Sequence, residues 1–239
     1  MKLVFFSDIH GNGYAFRAFQ RQMERERPDL VVFCGDVFGY YYQQPEILEG
    51  LRAAGWHCLL GNHDKYYLDA LDGKRDIGSL CEKYGSSYKR CMEGPHAVGE
   101  AVPFLRSLKP HTALTVDGLN IAAYHGSPAD PLEGRIYPDT PMLDVEAYAA
   151  YDFVILGHTH HKMVRRAGGA IVINPGSLGQ QRDGRGCSYL TLDTQSREFA
   201  FQTVTYDIAA LLRDISVNDP DKGFLASVLT RKPQKGNTE

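Results

Sequence analysis

The sequence predicts a layered α/β protein, and three observations lead to this expectation. Six short apolar runs, rich in β-branched residues, are each followed at once by Gly, Asp, His or Asn. A segment with helical periodicity lies between the first and second of these runs. A turn at Asp117-Gly118 joins two later apolar segments. Runs of four or five apolar residues fit strands that are covered on both faces. We therefore expect a sheet with helices packed against it.

The predicted strands all end in chemically similar residues. In chain order they read KLVFFSDIHGN, LVVFCGDVFG, HCLLGNHD, LNIAAYHGSP, FVILGHTHH and AIVINPGS. In open sheets of parallel strands, ligands bind outside the carboxyl ends of the strands. The polar residues that end these runs are therefore expected to converge in space, although the chain separates them widely.

Two helices are predicted between the first strands. After the first strand, Phe16, Phe19 and Met23 form an apolar stripe at helical spacing. After the second strand, Pro45 can begin a helix that ends at Gly55. The alternation of strand and helix predicts parallel neighbouring strands that are joined by right-handed crossovers.

Two hairpins and an insert complicate this pattern. Asp117-Gly118 centres a tight turn, and CSYLTLDTQSREFAFQTVTY reads as two further strands, so a second, partly antiparallel sheet is expected. Residues from about 65 to 110 lack a strand pattern, and we expect them to form a mostly helical insert over the mouth of the site. We expect a single domain over residues 1–230 and a disordered tail over residues 231–239.

Composition limits the partners and the location of the protein. A net charge of −3 argues against a general affinity for nucleic acid or for an anionic membrane. The first apolar run stops at Ser7, which is too early for a signal peptide or a membrane span. The five cysteines are scattered without a CxxC pair, as expected of free thiols in a reducing compartment. A cytoplasmic location is therefore expected.

The strand ends supply a set of nitrogen and oxygen ligands. The set comprises Asp8, His10, Asp36, Asn62, His63, Asp64, His125, His158 and His160. A set of nitrogen and oxygen ligands without cysteine suits Mn, Fe, Co, Ni or Zn. It suits Mg or Ca less well, because these ions prefer sites made of oxygen ligands alone. Asp8 with His10, and His158 with His160, are spaced i, i+2. In an extended backbone this spacing directs both side chains of a pair to one side.

Two divalent cations in this site would retain a net positive charge. Asp8 and Asp36 would cancel two of the four charges and a bridging hydroxide a third, because the histidines and Asn62 are neutral. The remaining charge favours an anionic ligand such as a phosphate ester. Paired metals roughly 3.5–4 Å apart can lower the pKa of a shared water and hold both oxygens of an in-line displacement at phosphorus.

The ordered motifs resemble those of the calcineurin-like metallophosphoesterase superfamily. They read SDIHGN, CGDVF, GNHD, YHGSP and GHTH, and the superfamily pattern is D-x-H, G-D, G-N-H-[DE], a lone His and G-H-x-H. The following NPGSLGQQRDG is similar to the small bacterial and archaeal phosphodiesterase branch. The resemblance implies an α/β fold, a four-layer αββα sandwich of two mixed β-sheets with flanking helices. It also implies a dinuclear metal site at the carboxyl ends of the strands.

The resemblance implies two metal ions that share one carboxylate. The first ion would be held by Asp8, His10, Asp36 and His160, and the second by Asp36, Asn62, His125 and His158. A hydroxide that bridges the ions would attack phosphorus, and His63 would stabilise the transition state or protonate the leaving oxygen. Manganese is the metal that we expect first, with iron, nickel, cobalt and zinc as alternatives.

One motif departs from the protein phosphatases of the superfamily. Those proteins have GDxVDRG, whereas this chain reads GDVFGYY, so that Gly39 and Tyr40 replace the Asp that orients the catalytic His and the Arg that clamps phosphate. This departure argues against a protein phosphatase, and it leaves open what orients His63.

Three further residues are assigned by context. Arg182, which follows NPGS, could bind a phosphate oxygen, and a surface salt bridge is the alternative. Tyr40 could contact the substrate, and loop packing is the alternative. His161 lies one residue out of phase with His160, so we expect it not to be a ligand.

The expected function is metal-dependent hydrolysis of phosphodiester bonds, with phosphomonoester bonds as a further class, in small or nucleotide-like substrates. No general nucleic-acid binding and no membrane partner are expected, and the oligomeric state is open.

One alternative is a catalytically silent scaffold on the same fold, which metal analysis would distinguish from an enzyme. Another is a double-strand-break repair type of nuclease, against which the short chain and the lack of a basic stripe argue. Any single strand-end residue could instead cap a helix or turn, but seven in order make that reading weaker.

Overall fold

The computed structural model describes residues 1–93, 97–142 and 145–232. The described strands are β1 Lys2–Phe6, β2 Leu30–Phe33, β3 His57–Cys58, β4 His111–Val116, β5 Leu119–Tyr124, β6 Phe153–Leu156, β7 Lys162–Ala167, β8 Ala170–Pro175, β9 Ser188–Asp193 and β10 Phe199–Thr203. The described α-helices are α1 Gly13–Glu26, α2 Gln44–Ala54, α3 Asn62–Leu71, α4 Ile77–Tyr84, α5 Ser87–Met92, α6 Val102–Ser107, α7 Ile208–Asn218 and α8 Gly223–Leu229.

The strands form two mixed five-stranded sheets, with the orders β10-β9-β1-β2-β3 and β4-β5-β6-β8-β7. The strands β1, β2 and β3 are parallel neighbours in the first sheet, and β5, β6 and β8 are parallel neighbours in the second. The other pairs are antiparallel, including both predicted hairpins. The six runs predicted from the sequence are these six parallel strands. Their polar ends therefore lie at the carboxyl edge of each sheet.

Burial on both faces explains the continuous apolar runs. In β1, the side chains of Leu3 and Phe5 lie in the core between the sheets, where Ile155 of the second sheet also packs. The alternate residues Val4 and Phe6 belong to the core beneath the helices. All four of these β1 side chains are fully buried. The predicted αββα architecture of two mixed sheets with flanking helices is confirmed.

The first two helices form where the sequence indicates. The side chain of Asn12 caps α1 by accepting a hydrogen bond from the Ala15 amide at 3.0 Å. The predicted stripe of α1 is buried against the first sheet. The second helix, α2, has Pro45 in its first turn and ends at Gly55, which has a left-handed φ of +63°. Both helices thus have the start and stop signals that the sequence predicts.

Helices and irregular segments cover the remaining surfaces. Between β3 and β4 the described chain carries α3 to α6 and a 3-10 turn, Gly99–Ala101. The outer face of the second sheet packs against residues that precede β6, including a 3-10 turn, Val145–Tyr148.

Residues 94–96 of the predicted insert and 233–239 of the predicted tail lie outside the described residues, and the domain limits remain predictions. Among the described residues, no helix is both long and apolar enough to cross a membrane. All five cysteines are free thiols.

Candidate metal centre

Five of the seven predicted ligands have left-handed backbone angles in the turns that follow parallel strands. The φ angles of Asp8 and His10 are +58° and +51°, and those of His158 and His160 are +67° and +60°. Asp36 has a φ of +72°. The extended-backbone reason given above for the i, i+2 pairs is therefore wrong, because each pair is brought together by left-handed residues. Such conformations cost about 1–3 kcal/mol each and cluster at functional sites.

Backbone contacts between loops hold these turns in place. The Asp8 amide donates to the Gly35 carbonyl at 2.9 Å, and the amides of Ile9 and His10 donate to the Asp36 carbonyl at 2.9 and 3.1 Å. The hydroxyl of Ser177 donates to the Asp8 carbonyl at 2.7 Å. The turns after β1, β2 and β8 are thus joined directly, and movement of one turn displaces the others.

Asp64 holds the turn that carries Asp36. The Oδ1 atom of Asp64 accepts hydrogen bonds from the amides of Val37 and Phe38 at 2.8 and 3.1 Å. Its Oδ2 atom accepts from the amides of Asp36 and Gly61 at 3.0 and 2.9 Å. Burial raises the pKa of the Asp64 carboxyl, and the backbone N–H groups oppose this shift. Asp64 lies on α3, and it orders the ligand loop rather than facing the donor cluster.

Three histidines have a fixed tautomer. The Nδ1 atoms of His10, His125 and His160 lie 2.7, 2.8 and 2.8 Å from the backbone carbonyl oxygens of Phe38, Cys34 and Gln180. A carbonyl only accepts, so each Nδ1 carries the hydrogen and each Nε2 presents a lone pair. Burial lowers the pKa of His10 and His160, which keeps both rings neutral. Neutral imidazole with its second nitrogen anchored in this way is the metal-binding form.

These lone pairs point at other acceptors. The Nε2 atoms of His10 and His160 lie only 2.8 Å apart. The Nε2 atom of His125 lies 2.9 Å from Oδ1 of Asn62. With no hydrogen between them, the two Nε2 atoms of His10 and His160 repel each other unless a cation lies between them. The arrangement therefore matches the requirements of bound metal ions.

Two carboxylate oxygens complete the donor groups. Within the described residues, Oδ1 of Asp8 and Oδ2 of Asp36 are buried and have no hydrogen-bond partner. His160 Nε2 lies 3.3 Å from the Asp8 oxygen, and His10 and His125 Nε2 lie 3.7 and 3.5 Å from the Asp36 oxygen. With metal–ligand bonds of about 2.1 Å, neighbouring ligand atoms stand about 3.0 Å apart in an octahedron and about 3.4 Å apart in a tetrahedron. The residues therefore fit a divalent metal, and an orphaned buried carboxylate is otherwise costly.

The donors fall into three groups that are linked through His10 and Asp36. One group contains Asp8, His10 and His160, a second contains Asp36, His125 and His158, and a third joins His63 to His10 and Asp36. In each group the ligand atoms lie within 4.8 Å of one another. All seven predicted ligands are thus brought into one cluster.

The two carboxyl groups of the cluster have pKa values that are shifted in opposite directions. Burial raises the pKa of Asp36, and the nearby Asp64 and Asp8 carboxyl groups raise it further. Burial also acts to raise the pKa of Asp8, but His160 and two other histidines outweigh this effect and lower it.

The comparison with known proteins identifies the family. Residues 1–197 match the calcineurin-like phosphoesterase superfamily domain. The chain belongs to the calcineurin-like phosphoesterase superfamily. An uncharacterised protein of Methanocaldococcus jannaschii is 28% identical over 238 residues, which cover 90% of this chain and 92% of that protein. The predicted superfamily is therefore confirmed, and the protein is a hydrolase that acts on phosphoester bonds.

Solved structures show the same fold. A hypothetical protein of Pyrococcus horikoshii has a TM-score of 0.78 at 17% identity, covering 97% of this chain and 99% of its own. A metallophosphoesterase of Sphaerobacter thermophilus has a TM-score of 0.74 at 23% identity, covering 96% and 98%. A novel archaeal phosphodiesterase has a TM-score of 0.51 at 18% identity, covering 85% and 100%. The similarity to the first two structures extends over almost the whole phosphoesterase chain.

Two arginines lie beside the donor cluster of this phosphoesterase. A guanidinium nitrogen of Arg182 donates to the Tyr40 hydroxyl at 3.0 Å. The Tyr40 ring makes an edge contact with His10, with centroids 4.7 Å apart. Both substrate-binding candidates from the sequence, Arg182 and Tyr40, are thus adjacent to the predicted ligands. Arg135, which the sequence does not single out, donates from Nε to Nε2 of His158 at 2.9 Å.

His161 lies apart from the cluster, as expected, although the backbone at His160 is not the extended one on which that expectation was based. Its Nδ1 atom is 2.7 Å from the Thr159 carbonyl oxygen, and its ring packs edge-on against Tyr137. It is not in any of the donor groups found among the described residues. Of the three histidines in GHTHH, two therefore join the donor cluster and the third does not.

Residues distant in sequence from the motifs complete the phosphoesterase site. Asp219, at the end of α7, accepts hydrogen bonds from the Tyr42 hydroxyl at 2.9 Å and from the hydroxyl of Ser86 at 2.8 Å. It thereby ties the turn between α4 and α5 to the loop that follows Asp36. Tyr88 on α5 contacts His63 directly. No local motif marks Tyr88, Arg135 or Asp219, so sequence reasoning missed them.

Proposed function

We propose that this protein is a metal-dependent phosphodiesterase, able also to act on phosphomonoesters, for small or nucleotide-like substrates. It would use two divalent transition-metal ions, with manganese as the first expectation. Asp8, His10, Asp36 and His160 would hold one ion, and Asp36, Asn62, His125 and His158 the other. The observation that carries the proposal is the 2.8 Å approach of the Nε2 atoms of His10 and His160, because a cation bound by both acceptors would relieve their repulsion.

When bound, the ions would supply Lewis acidity and positive charge for displacement at phosphorus. The chain's own residues would then orient the substrate. Arg182 contacts Tyr40 and Arg135 contacts His158, beside different donor groups, and both arginines would pair with phosphate oxygens. His63 would donate a hydrogen bond to the oxygen that gains charge as the ester bond breaks.

The shape of the site favours small substrates. Tyr84 and Tyr88 of α4 and α5 pack directly against His63, so helices close one side of the donor cluster. Similarity to an archaeal phosphodiesterase supports diester substrates as the first class to test. The free cysteines agree with the expected cytoplasmic location, which remains a prediction.

Metal-reconstituted protein tests the proposal directly. The chelated protein is loaded in parallel with Mn²⁺, Fe²⁺, Co²⁺, Ni²⁺ or Zn²⁺ and assayed with bis(4-nitrophenyl) phosphate. We expect hydrolysis that depends on metal, and Asp36→Asn should reduce kcat/KM by at least about 100-fold, because this carboxylate would help to hold both ions. Asp69→Asn, which alters an ion pair with Lys65 on α3, is the matched control and should retain activity.

Metal analysis separates the enzyme from a scaffold. We expect about two ions per wild-type chain after gel filtration, and a loss of at least one in Asp36→Asn. Full activity in Asp36→Asn would exclude the proposed mechanism. Well under one ion per wild-type chain, together with no hydrolysis by any metal form, would favour a silent scaffold instead.

A further inference from the structure

His63 lies in a pocket of aromatic side chains. The ring centroids of Tyr40, Tyr66 and Tyr84 are 5.2, 5.4 and 4.5 Å from that of His63. His63 itself is only 6% exposed. Ring packing of this kind limits where the imidazole lies, but it does not determine which of the two nitrogens carries the hydrogen. A polar partner is needed for that.

Tyr88 supplies the polar partner. Its hydroxyl lies 2.8 Å from Nδ1 of His63, and the Tyr88 side chain is fully buried. The hydroxyl is also 3.4 Å from the His63 carbonyl oxygen, but that contact is long, and this oxygen lies within α3 where the helical N–H of Tyr67 is its partner. The hydroxyl therefore donates to Nδ1, which leaves the hydrogen of the neutral ring on Nε2.

Gly39 makes room for this arrangement. A Cβ atom at position 39 would lie 2.5 Å from Nδ1 and 3.1 Å from Cε1 of His63, so any side chain there would collide with the ring. The φ of Gly39 is +87°, which also favours glycine. The Gly39 backbone and the Tyr88 hydroxyl thus both contact the Nδ1 edge of the imidazole.

We propose that Tyr88 is the positioning residue of His63, a role that rests on the proposed phosphoesterase function. Its hydroxyl fixes the rotation and the tautomer of the ring, so that Nε2–H is the group available to the substrate. A phenol does this without adding a further negative charge near Asp36 and Asp64. The helices between β3 and β4, which include α5 with Tyr88, therefore contribute to the chemistry of the site as well as packing beside it.

The kinetic test uses Tyr88→Phe, which keeps the ring and removes the hydroxyl. We expect kcat to fall about 10- to 100-fold, as for other partners that orient a functional histidine, with KM within about twofold. The loss should be larger for diphenyl phosphate than for bis(4-nitrophenyl) phosphate, because phenol is the poorer leaving group. Tyr67→Phe is the matched control. It removes a buried hydroxyl from the same segment, one that donates to the Cys91 carbonyl at 3.0 Å, and it should leave kcat unchanged.

A double-mutant cycle distinguishes positioning from a general structural role. If Tyr88 acts through His63, Tyr88→Phe should cause no further loss in a His63→Ala background. The same fold-loss in both backgrounds would overturn the proposal, as would an unchanged kcat in Tyr88→Phe alone.

A spectroscopic test does not depend on activity. In ¹⁵N-histidine spectra of the zinc-loaded protein at pH 8, the signals of His63 are identified by their loss in His63→Ala. We expect the Nε2–H tautomer in the wild type and a changed tautomer population in Tyr88→Phe. An Nδ1–H tautomer in the wild type, or identical spectra in both proteins, would refute the proposal. If no substrate is hydrolysed, the proposed function fails, and these spectra still decide the role of Tyr88.

Discussion

Replacing Asp64 with asparagine should destabilise the protein although the change is nearly isosteric. Each carboxylate oxygen of Asp64 accepts two backbone hydrogen bonds, at distances from 2.8 to 3.1 Å, and the side chain is fully buried. An amide has only one oxygen. Whichever way it is placed, two backbone N–H groups would face its NH₂ group and lose their acceptor.

The expected size of the effect follows from these two lost bonds. Hydrogen bonds to a charged group contribute about 1.5–3 kcal/mol each, so the free energy of unfolding should fall by about 3–6 kcal/mol. That is a large share of the total of about 5–15 kcal/mol for a domain. Because the Asp36 amide is one of the donors, metal affinity should fall as well.

Urea unfolding of the metal-free protein, followed by circular dichroism, measures this change. With a slope of about 3 kcal/mol per molar urea, the midpoint should fall by about 1–2 M. Asp69→Asn on the same helix, which removes only the charge from a partly exposed pair with Lys65, should change the free energy of unfolding by less than about 1 kcal/mol. An Asp64→Asn protein whose free energy of unfolding is within about 1 kcal/mol of the wild-type value would show that these hydrogen bonds do not stabilise the fold as proposed.

Two further predictions concern pH and packing. Burial lowers the pKa of His158 to about 3, so between about 6.5 and about 3 the unfolded chain binds a proton that the folded chain does not. The free energy of unfolding of the metal-free protein should therefore fall as the pH falls through this window, by up to about 1.4 kcal/mol per pH unit from this residue. His158→Asn should give a shallower slope in urea unfolding at pH 7, 6 and 5, and parallel slopes would contradict this. Gly39→Ala should lower both stability and activity, because its Cβ would collide with His63, whereas Gly73→Ala, also at a positive φ but with open space around it, should leave activity intact. Equal effects of the two substitutions on unfolding and kcat would argue against the collision.

Much of the site could be predicted because its ligands are tied to strand ends. The apolar runs that end in Asp8, Asp36 and His158 are local patterns, and parallel strands place their carboxyl ends at one edge. The superfamily motifs then indicated which strand-end residues converge. Even β3, only two residues long in the structure, could be recognised from the GNHD motif that follows it.

The remainder depends on conformations and contacts that no local pattern indicates. Asp8 and His10 converge through left-handed turns rather than an extended backbone, and such φ values depend on tertiary hydrogen bonds. Tyr88 reaches His63 across 25 residues of sequence, and Arg135 reaches His158 across 23. Contacts of this kind arise from the packing of the helices between β3 and β4 and of the loop before β6, so the sequence alone could not identify them.

Anomalous diffraction from crystals grown with Mn²⁺ would locate the proposed ions. We expect two manganese peaks in one pocket, one among Asp8, His10 and His160 and the other among Asn62, His125 and His158, with Asp36 in contact with both. A pocket without manganese density, or peaks bound only by surface carboxylates, would contradict the proposed dinuclear centre.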